Sequence, residues 1–345
     1  MGSPRISAIA TAVPKNDVQA AYSQWAAPRI ADARKRKLFE RMVSRGGIDH
    51  RYSVLEEDSA FLEAESFYTS AAAPSTADRM RVYAESAPVL AKRAIAGLPD
   101  ISGITHMVVA SCTGFTAPGL DQVLARRLGL PADVERIMIG FMGCYAGVTA
   151  MRTAAHLVRS QPEARVLVVC AELCTLHLQP TDDLESLLAM AQFADGAAAA
   201  LVTGEGPGLE LGEGISATLD DSAELITWTI TDTGFAMHLS GAVPGRLAAT
   251  LSTSDVRTRI GAQQAYAVHP GGKSILDAVE RGLELPDDAL DASRDVLRTY
   301  GNMSSATVLF VLRQMMDRRP ESGIALAFGP GLAMEGLRFG WTDAG

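Results

Sequence analysis

Arg165–Ala171 (RVLVVCA) is an apolar run of strand length with no polar alternation. A half-solvated strand alternates with period two, whereas a strand covered on both faces reads as a continuous apolar stretch. Such a strand needs helical layers above and below it. The rest of the chain supplies the material. Ile104–Cys112 and Arg136–Gly143 read as further strands, and Pro118–Leu128, Ala146–Val158 and Leu184–Phe193 as helices between them. Gly196–Thr203 reads as a strand, and the glycine-rich passage Gly204–Gly214 as a seam between halves. Beyond it the alternation returns. Ile226–Thr231 and Ala262–Val268 read as strands, Lys273–Leu283 and Ser304–Met316 as helices, and Ile324–Phe328 and Leu332–Phe339 as a closing pair of strands. Alternating strands and helices predict a layered α/β fold.

The chain has 345 residues, more than one small core needs, so two lobes or one large layered domain are expected. Hydrophobic residues are 48% and charged residues 21%, a globular balance rather than a disordered one. A net charge of -9 argues against a nucleic-acid partner, which normally meets a basic surface. No apolar run reaches membrane-span length, and Met1–Ser7 carries neither a signal-peptide apolar region nor a myristoylation pattern. A cytoplasmic location is the default expectation. Cys112, Cys144, Cys170 and Cys174 then read as free thiols.

Three glycine-marked element ends carry residues with chemical potential. Cys144 lies in Gly143-Cys144-Tyr145-Ala146-Gly147, where a strand gives way to a helix. Only a thiolate is a strong nucleophile, and a helix N-terminus favours negative charge. A buried cysteine is also simply a small hydrophobe. His269 ends a strand and precedes Pro270-Gly271-Gly272, and Asn302 lies in Gly301-Asn302-Met303-Ser304. Alone, His269 has a structural reading and Asn302 a turn or capping one. A Cys, a His and an Asn in this order form a recognised nucleophile arrangement.

These stretches, with Ala327-Phe328-Gly329-Pro330-Gly331, resemble the ordered signatures of the type III polyketide synthases, the chalcone synthase-like family, over nearly the whole chain. The departures from plant cavity residues look like the microbial branch. The resemblance implies a thiolase fold, an αβαβα sandwich of two related halves (residues 1–205 with the cysteine, 206–345 with His269 and Asn302), in a homodimer. It implies that Cys144 holds the starter acyl group and the growing chain, that His269 keeps its thiolate charged, and that His269 and Asn302 donate to the malonyl-CoA thioester oxygen during decarboxylation. Malonyl-CoA and an acyl-CoA are the implied substrates, with no metal or redox cofactor.

Lys37, Arg41 and Arg45 recur every fourth residue, as one face of a helix or as a plain solvated basic face. In the family, basic residues of this segment meet the CoA phosphates. Arg41 and Arg45 match that pattern, whereas one family lysine position falls on Leu38, with Lys37 beside it. Gly271 and Gly272 would let backbone approach the pantetheine arm. Phe193 resembles a family gate, and the second gate falls on Met237. Cys112, Thr113, Cys174, His177, Trp228, Phe328 and Pro330 are further expected cavity positions. Trp228 stands where plant relatives carry a small residue.

The expected product is an alkylresorcinol or alkylpyrone from a medium or long fatty acyl starter. The alternative is malonyl-CoA as its own starter, giving tetrahydroxynaphthalene or phloroglucinol. A ketoacyl-ACP synthase III-like enzyme is a third reading, which Pro330 disfavours. A non-catalytic thiolase-fold partner subunit is a fourth, which the presence of all three site residues disfavours.

Overall fold

The structure is a computed structural model that describes residues 3–55, 66–68 and 73–343; the extreme start, Met1 and Gly2, lies outside the described residues. In the first half, strands β1 (Arg5–Ala12), β2 (Asn16–Asp17), β3 (Tyr52–Ser53), β4 (His106–Ser111), β5 (Glu135–Gly140), β6 (Val166–Leu173) and β7 (Asp195–Thr203) are interspersed with six helices. These are α1 (Gln19–Ala26), α2 (Ala33–Ser44), α3 (Thr76–Ile95), α4 (Leu120–Leu128), α5 (Ala146–Ser160) and α6 (Leu184–Met190). The second half contributes β8 (Gly208–Thr218), β9 (Ile226–Thr231), β10 (Gly234–Leu239), β11 (Ala265–Val268), β12 (Gly323–Gly329) and β13 (Ala333–Thr342). Its helices are α7 (Val243–Leu251), α8 (Ser254–Ile260), α9 (Lys273–Leu283), α10 (Asp291–Tyr300) and α11 (Thr307–Arg318).

Nine strands run in the order β11-β12-β13-β8-β1-β7-β6-β4-β5. Two sheet segments meet at the short pairing of β1 with β8, Arg5 opposite Glu210 and Ile6 opposite Leu209. The apolar run that opened the sequence argument is β6, and each of its residues is buried. Its alternate side chains enter different cores. Val166, Val168 and Cys170 face the central core with α5 and α11, while Leu167, Val169 and Ala171 face the outer core with α3 and α4. Strand β12 repeats the device. Ala325 and Ala327 join the central core, and Ile324, Leu326 and Phe328 join a third core with α7 and α9. Helix, sheet, helix, sheet and helix thus stack in five layers, the expected αβαβα arrangement. Burying a large aliphatic side chain contributes about 1.5–3 kcal/mol, so two-sided strands are the main anchors of the fold.

The glycine-rich passage holds both a turn and the start of a strand. Only its first residues turn, and Gly208–Thr218 is an eleven-residue strand. The glycine at its start serves packing. A Cβ on Gly208 would lie 2.2 Å from the carbonyl oxygen of Ile6, so the side-chain-free backbone is what lets β1 and β8 meet. Several helix ends also differ by a few residues. The segment after Asn302 begins with a 3-10 turn, Ser304–Ala306, before α11.

Candidate active site

Cys144 sits in a 3-10 turn, Gly143–Tyr145, that runs directly into the fifteen-residue helix α5. The preceding glycine is forced. Gly143 has φ +76°, and a Cβ there would lie 2.4 Å from Cδ of Pro330. The Cys144 loop therefore packs on the Gly329-Pro330-Gly331 turn, an approach that sequence spacing alone does not reveal.

His269 follows β11 and Asn302 follows α10, and both are 1% exposed. The three side chains line one cavity of ≈ 40 Å³. Phe193, Trp228, Met237, Phe328 and Pro330 also line it, as does Gly271. The cavity is mostly apolar apart from the trio, and its room suits only a few water molecules.

The orientation of Asn302 is set by backbone. Its Oδ1 accepts from Ser304 N at 2.9 Å, which turns Nδ2 the other way, toward Gly271 O at 3.3 Å. Its main chain bridges Phe193: Asn302 N donates to Gln192 O (2.8 Å) and Ala194 N donates to Asn302 O (2.9 Å). His269 is the opposite case. Both ring nitrogens are buried without a hydrogen-bond partner among the described residues. An unpaired buried polar group costs about 1–3 kcal/mol, which makes this ring the polar wall group with hydrogen-bonding capacity to spare.

Burial pushes the Cys144 thiol up to about 11, and hydrogen bonds from the Ser304 and Asn302 side chains only partly offset it. Burial alone pushes His269 down to about 3. Both directions favour the neutral form of each group in the closed site. A charged pair here has to draw on the mutual attraction of its two members.

Cys112 and Thr113 sit behind Cys144 rather than in the cavity wall. Cys112 Sγ accepts from Gly143 N at 3.0 Å, and Thr113 Oγ1 donates to Glu172 Oε2 at 2.8 Å. Glu172, absent from the sequence reading, is a fully buried carboxylate at the end of β6. Burial lifts it to about 7, although Cys112 N, Thr113 Oγ1 and Ser305 Oγ all point at it. A charged residue closing an otherwise apolar strand was the available signal.

Cys174 and His177 line a second hollow of ≈ 310 Å³, which shares Phe193, Trp228 and Met237 with the first. His177 is a neutral tautomer by its partners. Nε2 faces Thr113 O at 2.8 Å, and Nδ1 accepts from Phe235 N at 3.1 Å. Burial pushes it down to about 3 in agreement.

On the other side, Arg41 and Arg45 line a surface depression of ≈ 310 Å³ that reaches Gln192. Lys37 is exposed on α2 but does not line it. Lys273, the first residue of α9, does, beside its ion pair with Asp277 at 2.7 Å. The Gly271-Gly272 pair immediately before it was the cue for that lysine. Gly271 lines an adjoining depression with Met42 and Ile275, while Gly272 packs against Gln192.

The family model for the N-terminal domain of chalcone and stilbene synthases matches residues 1–207, and that for their C-terminal domain matches residues 210–340. The chain belongs to the chalcone and stilbene synthase family. Solved structures agree. PKS-I from the brown alga Ectocarpus siliculosus is 28% identical with a TM-score of 0.90, covering 99% of each chain. The C-terminal type III polyketide synthase domain of Steely1, a type I/III hybrid from Dictyostelium, is 28% identical with a TM-score of 0.87, covering 98% of this chain and 99% of that one. This chain is accordingly a type III polyketide synthase, an acyltransferase of the thiolase fold. The family works on acyl-CoA and malonyl-CoA. Among the described residues, no helix is long and apolar enough to cross a membrane.

Proposed function

We propose that this synthase loads an acyl group onto Cys144 and extends it with malonyl-CoA, and that Cys144, His269 and Asn302 are its catalytic residues. The supporting observation is their convergence on one cavity, with His269 unpaired and Asn302 held by backbone. His269 takes the Cys144 proton. The thiolate attacks the starter thioester, CoA leaves as its thiol, and the acyl group stays on sulfur. Malonyl-CoA next loses its carboxylate as carbon dioxide, and the electron pair of the broken bond forms an enolate whose charge sits on the thioester oxygen. His269 and Asn302 N–H groups hold that oxygen; one such donor is typically worth about 3–4 kcal/mol. The enolate carbon attacks the acyl carbonyl on Cys144 and the C–S bond breaks, which leaves the Cys144 thiolate and the lengthened chain as its CoA thioester; the thiolate then attacks that thioester, CoA leaves, and the chain is back on sulfur for another round. Nothing in these steps calls for a metal or a redox cofactor.

The CoA moiety lies in the depression lined by Arg41, Arg45 and Lys273 in this reading, with Gly271 and Gly272 beside the pantetheine arm and Lys37 a turn away. Phe193 and Met237 gate the way inward. The halves divide near residues 205 and 206. The enzyme works in the cytoplasm as a homodimer, for which the exposed Phe115 and Met138, the latter on the open edge strand β5, offer an apolar face.

The starter is a medium or long fatty acyl group, and the product an alkylresorcinol or alkylpyrone. The ≈ 310 Å³ hollow behind Trp228 and Met237 supports this, because a swing of the flexible Met237 side chain joins it to the ≈ 40 Å³ cavity at Cys144. The smallness of that cavity favours a second reading, malonyl-CoA as its own starter and a compact aromatic product. Mass spectrometry of products from malonyl-CoA alone, and with acyl-CoAs of graded length, separates the two. Products that require a fatty acyl starter support the first. An aromatic product from malonyl-CoA alone supports the second, and no product in either arm removes both.

A further inference from the structure

Arg51 is one of the largest fully buried side chains, at 1% exposure, and among the described residues no carboxylate forms an ion pair with its guanidinium. Its Nη1 instead donates to two main-chain carbonyls, Phe193 O at 2.6 Å and Met190 O at 3.0 Å. Its Nε donates to Gln19 Oε1 at 2.5 Å, and its guanidinium lies 4.7 Å from the Tyr22 ring centroid. Met190 is the last residue of α6, so the cation also meets the negative end of that helix. The aliphatic stem of Arg51 lies against Gly301. A Cβ there would come within 2.8 Å of Arg51 Cγ, and φ is +70°. Gly301 precedes Asn302, whose main chain brackets Phe193 on both sides.

We infer that Arg51 is a positioning residue that sets the junction of Phe193 with Asn302, and through it the donor amide of Asn302 and the ring of Phe193. It touches no reacting atom. It grips the carbonyl of Phe193 on one side and fills the space beneath Gly301 on the other. A guanidinium is suited to this because its donors lie in one rigid plane and reach several acceptors together, whereas a lysine ammonium acts as a compact point. A displacement of about 1 Å at a catalytic group costs as much as 10²-fold in rate, which sets the scale of the expected effect.

The inference rests on the proposed roles of Asn302 and Phe193, and the test separates the two. Acetyl-CoA formation from malonyl-CoA is measured for the wild type, Asn302→Ala, Arg51→Lys and Arg51→Met. Each rate is normalised to the fraction of protein whose Cys144 can be acylated, read by intact-protein mass spectrometry. For both Arg51 variants, kcat per acylatable site should fall roughly tenfold to hundredfold while KM moves less than about threefold, with Lys giving no rescue. Unchanged kcat in both variants, beside an inactive Asn302→Ala, overturns the role of Arg51 alone. An Asn302→Ala variant as fast as the wild type overturns the underlying reading and this inference with it. If neither Arg51 variant folds, Gln19→Leu decides. Gln19 also lines the basic depression. A fall in its kcat of roughly threefold or more supports coupling through Arg51. A rise in KM alone means that Gln19 serves only the depression, and overturns it.

Discussion

The cavity at Cys144 has two walls built to different standards. The wall carrying Cys144, His269 and Asn302 is made of main-sheet ends and helix starts. Its backbone is tied by Asn302–Gln192 and Ala194–Asn302 hydrogen bonds and by the packing of Gly143 on Pro330. The wall carrying Trp228 and Met237 is the β9–β10 hairpin, a two-stranded sheet of its own in which those two residues face each other across the strands. Ile230 on that hairpin is 52% exposed. The hairpin is held to the body by Phe235, whose ring stacks on His177 at 4.1 Å and whose N donates to that ring, and by hydrogen bonds of its turn to Thr76 and Gln179. Under the proposed function the difference is a division of labour, with chemistry on the wall tied into the main sheet and chain accommodation on the hairpin wall.

The sharpest way to break this comparison is Cys144→Ala. Elongation should vanish while circular dichroism and oligomer size stay as in the wild type; persisting elongation removes the assigned nucleophile. Next in size, Asn302→Ala should lower malonyl-CoA decarboxylation by about 10²–10³-fold, measured as carbon dioxide release.

On the hairpin wall, Trp228→Ala should alter which acyl-CoA lengths are accepted, or the product masses, and change decarboxylation by less than about threefold. Loss of decarboxylation comparable to Asn302→Ala would erase the distinction between walls.

A pH series tests the rigid wall's electrostatics. With the Cys144 thiol pushed up to about 11, its thiolate fraction is small at neutrality and grows about tenfold per pH unit below that value. Iodoacetamide labelling of Cys144 in the free enzyme should therefore keep rising through pH 9 and 10. A plateau reached near pH 7 would mean a standing thiolate paired with His269.

The smallest expected effect is on stability. Gly143→Ala places a methyl against Pro330 in a left-handed conformation, and should cost about 1–3 kcal/mol, read as a lowered Tm.

Much of the fold was legible because burial writes itself into composition. The apolar run Val166–Ala171 of β6 required cover on both faces, and the helix over Lys273–Leu283 was readable from Ile275, Leu276, Val279 and Leu283. The glycine-rich stretch hid a strand start because glycine marks both turns and close backbone approach, and Gly208 serves the second. In the site, the trio was legible from ordered motifs, whereas Arg51 was not. Nothing in its neighbours Asp49-His50-Arg51-Tyr52 distinguishes it from a surface arginine.

The sequence by itself determined the layered α/β architecture, the family motifs and the identity of the three residues proposed for chemistry, since these depend on local residue type and spacing. Only the tertiary structure decided that Cys144 and His269 are buried deeply enough to favour their neutral forms, that Cys112 and Thr113 stand behind Cys144, and that Arg51 lies against Gly301. Burial and contact between residues far apart in the chain are properties of the packed whole, and the low-dielectric surroundings that shift a pKa come from every neighbour at once.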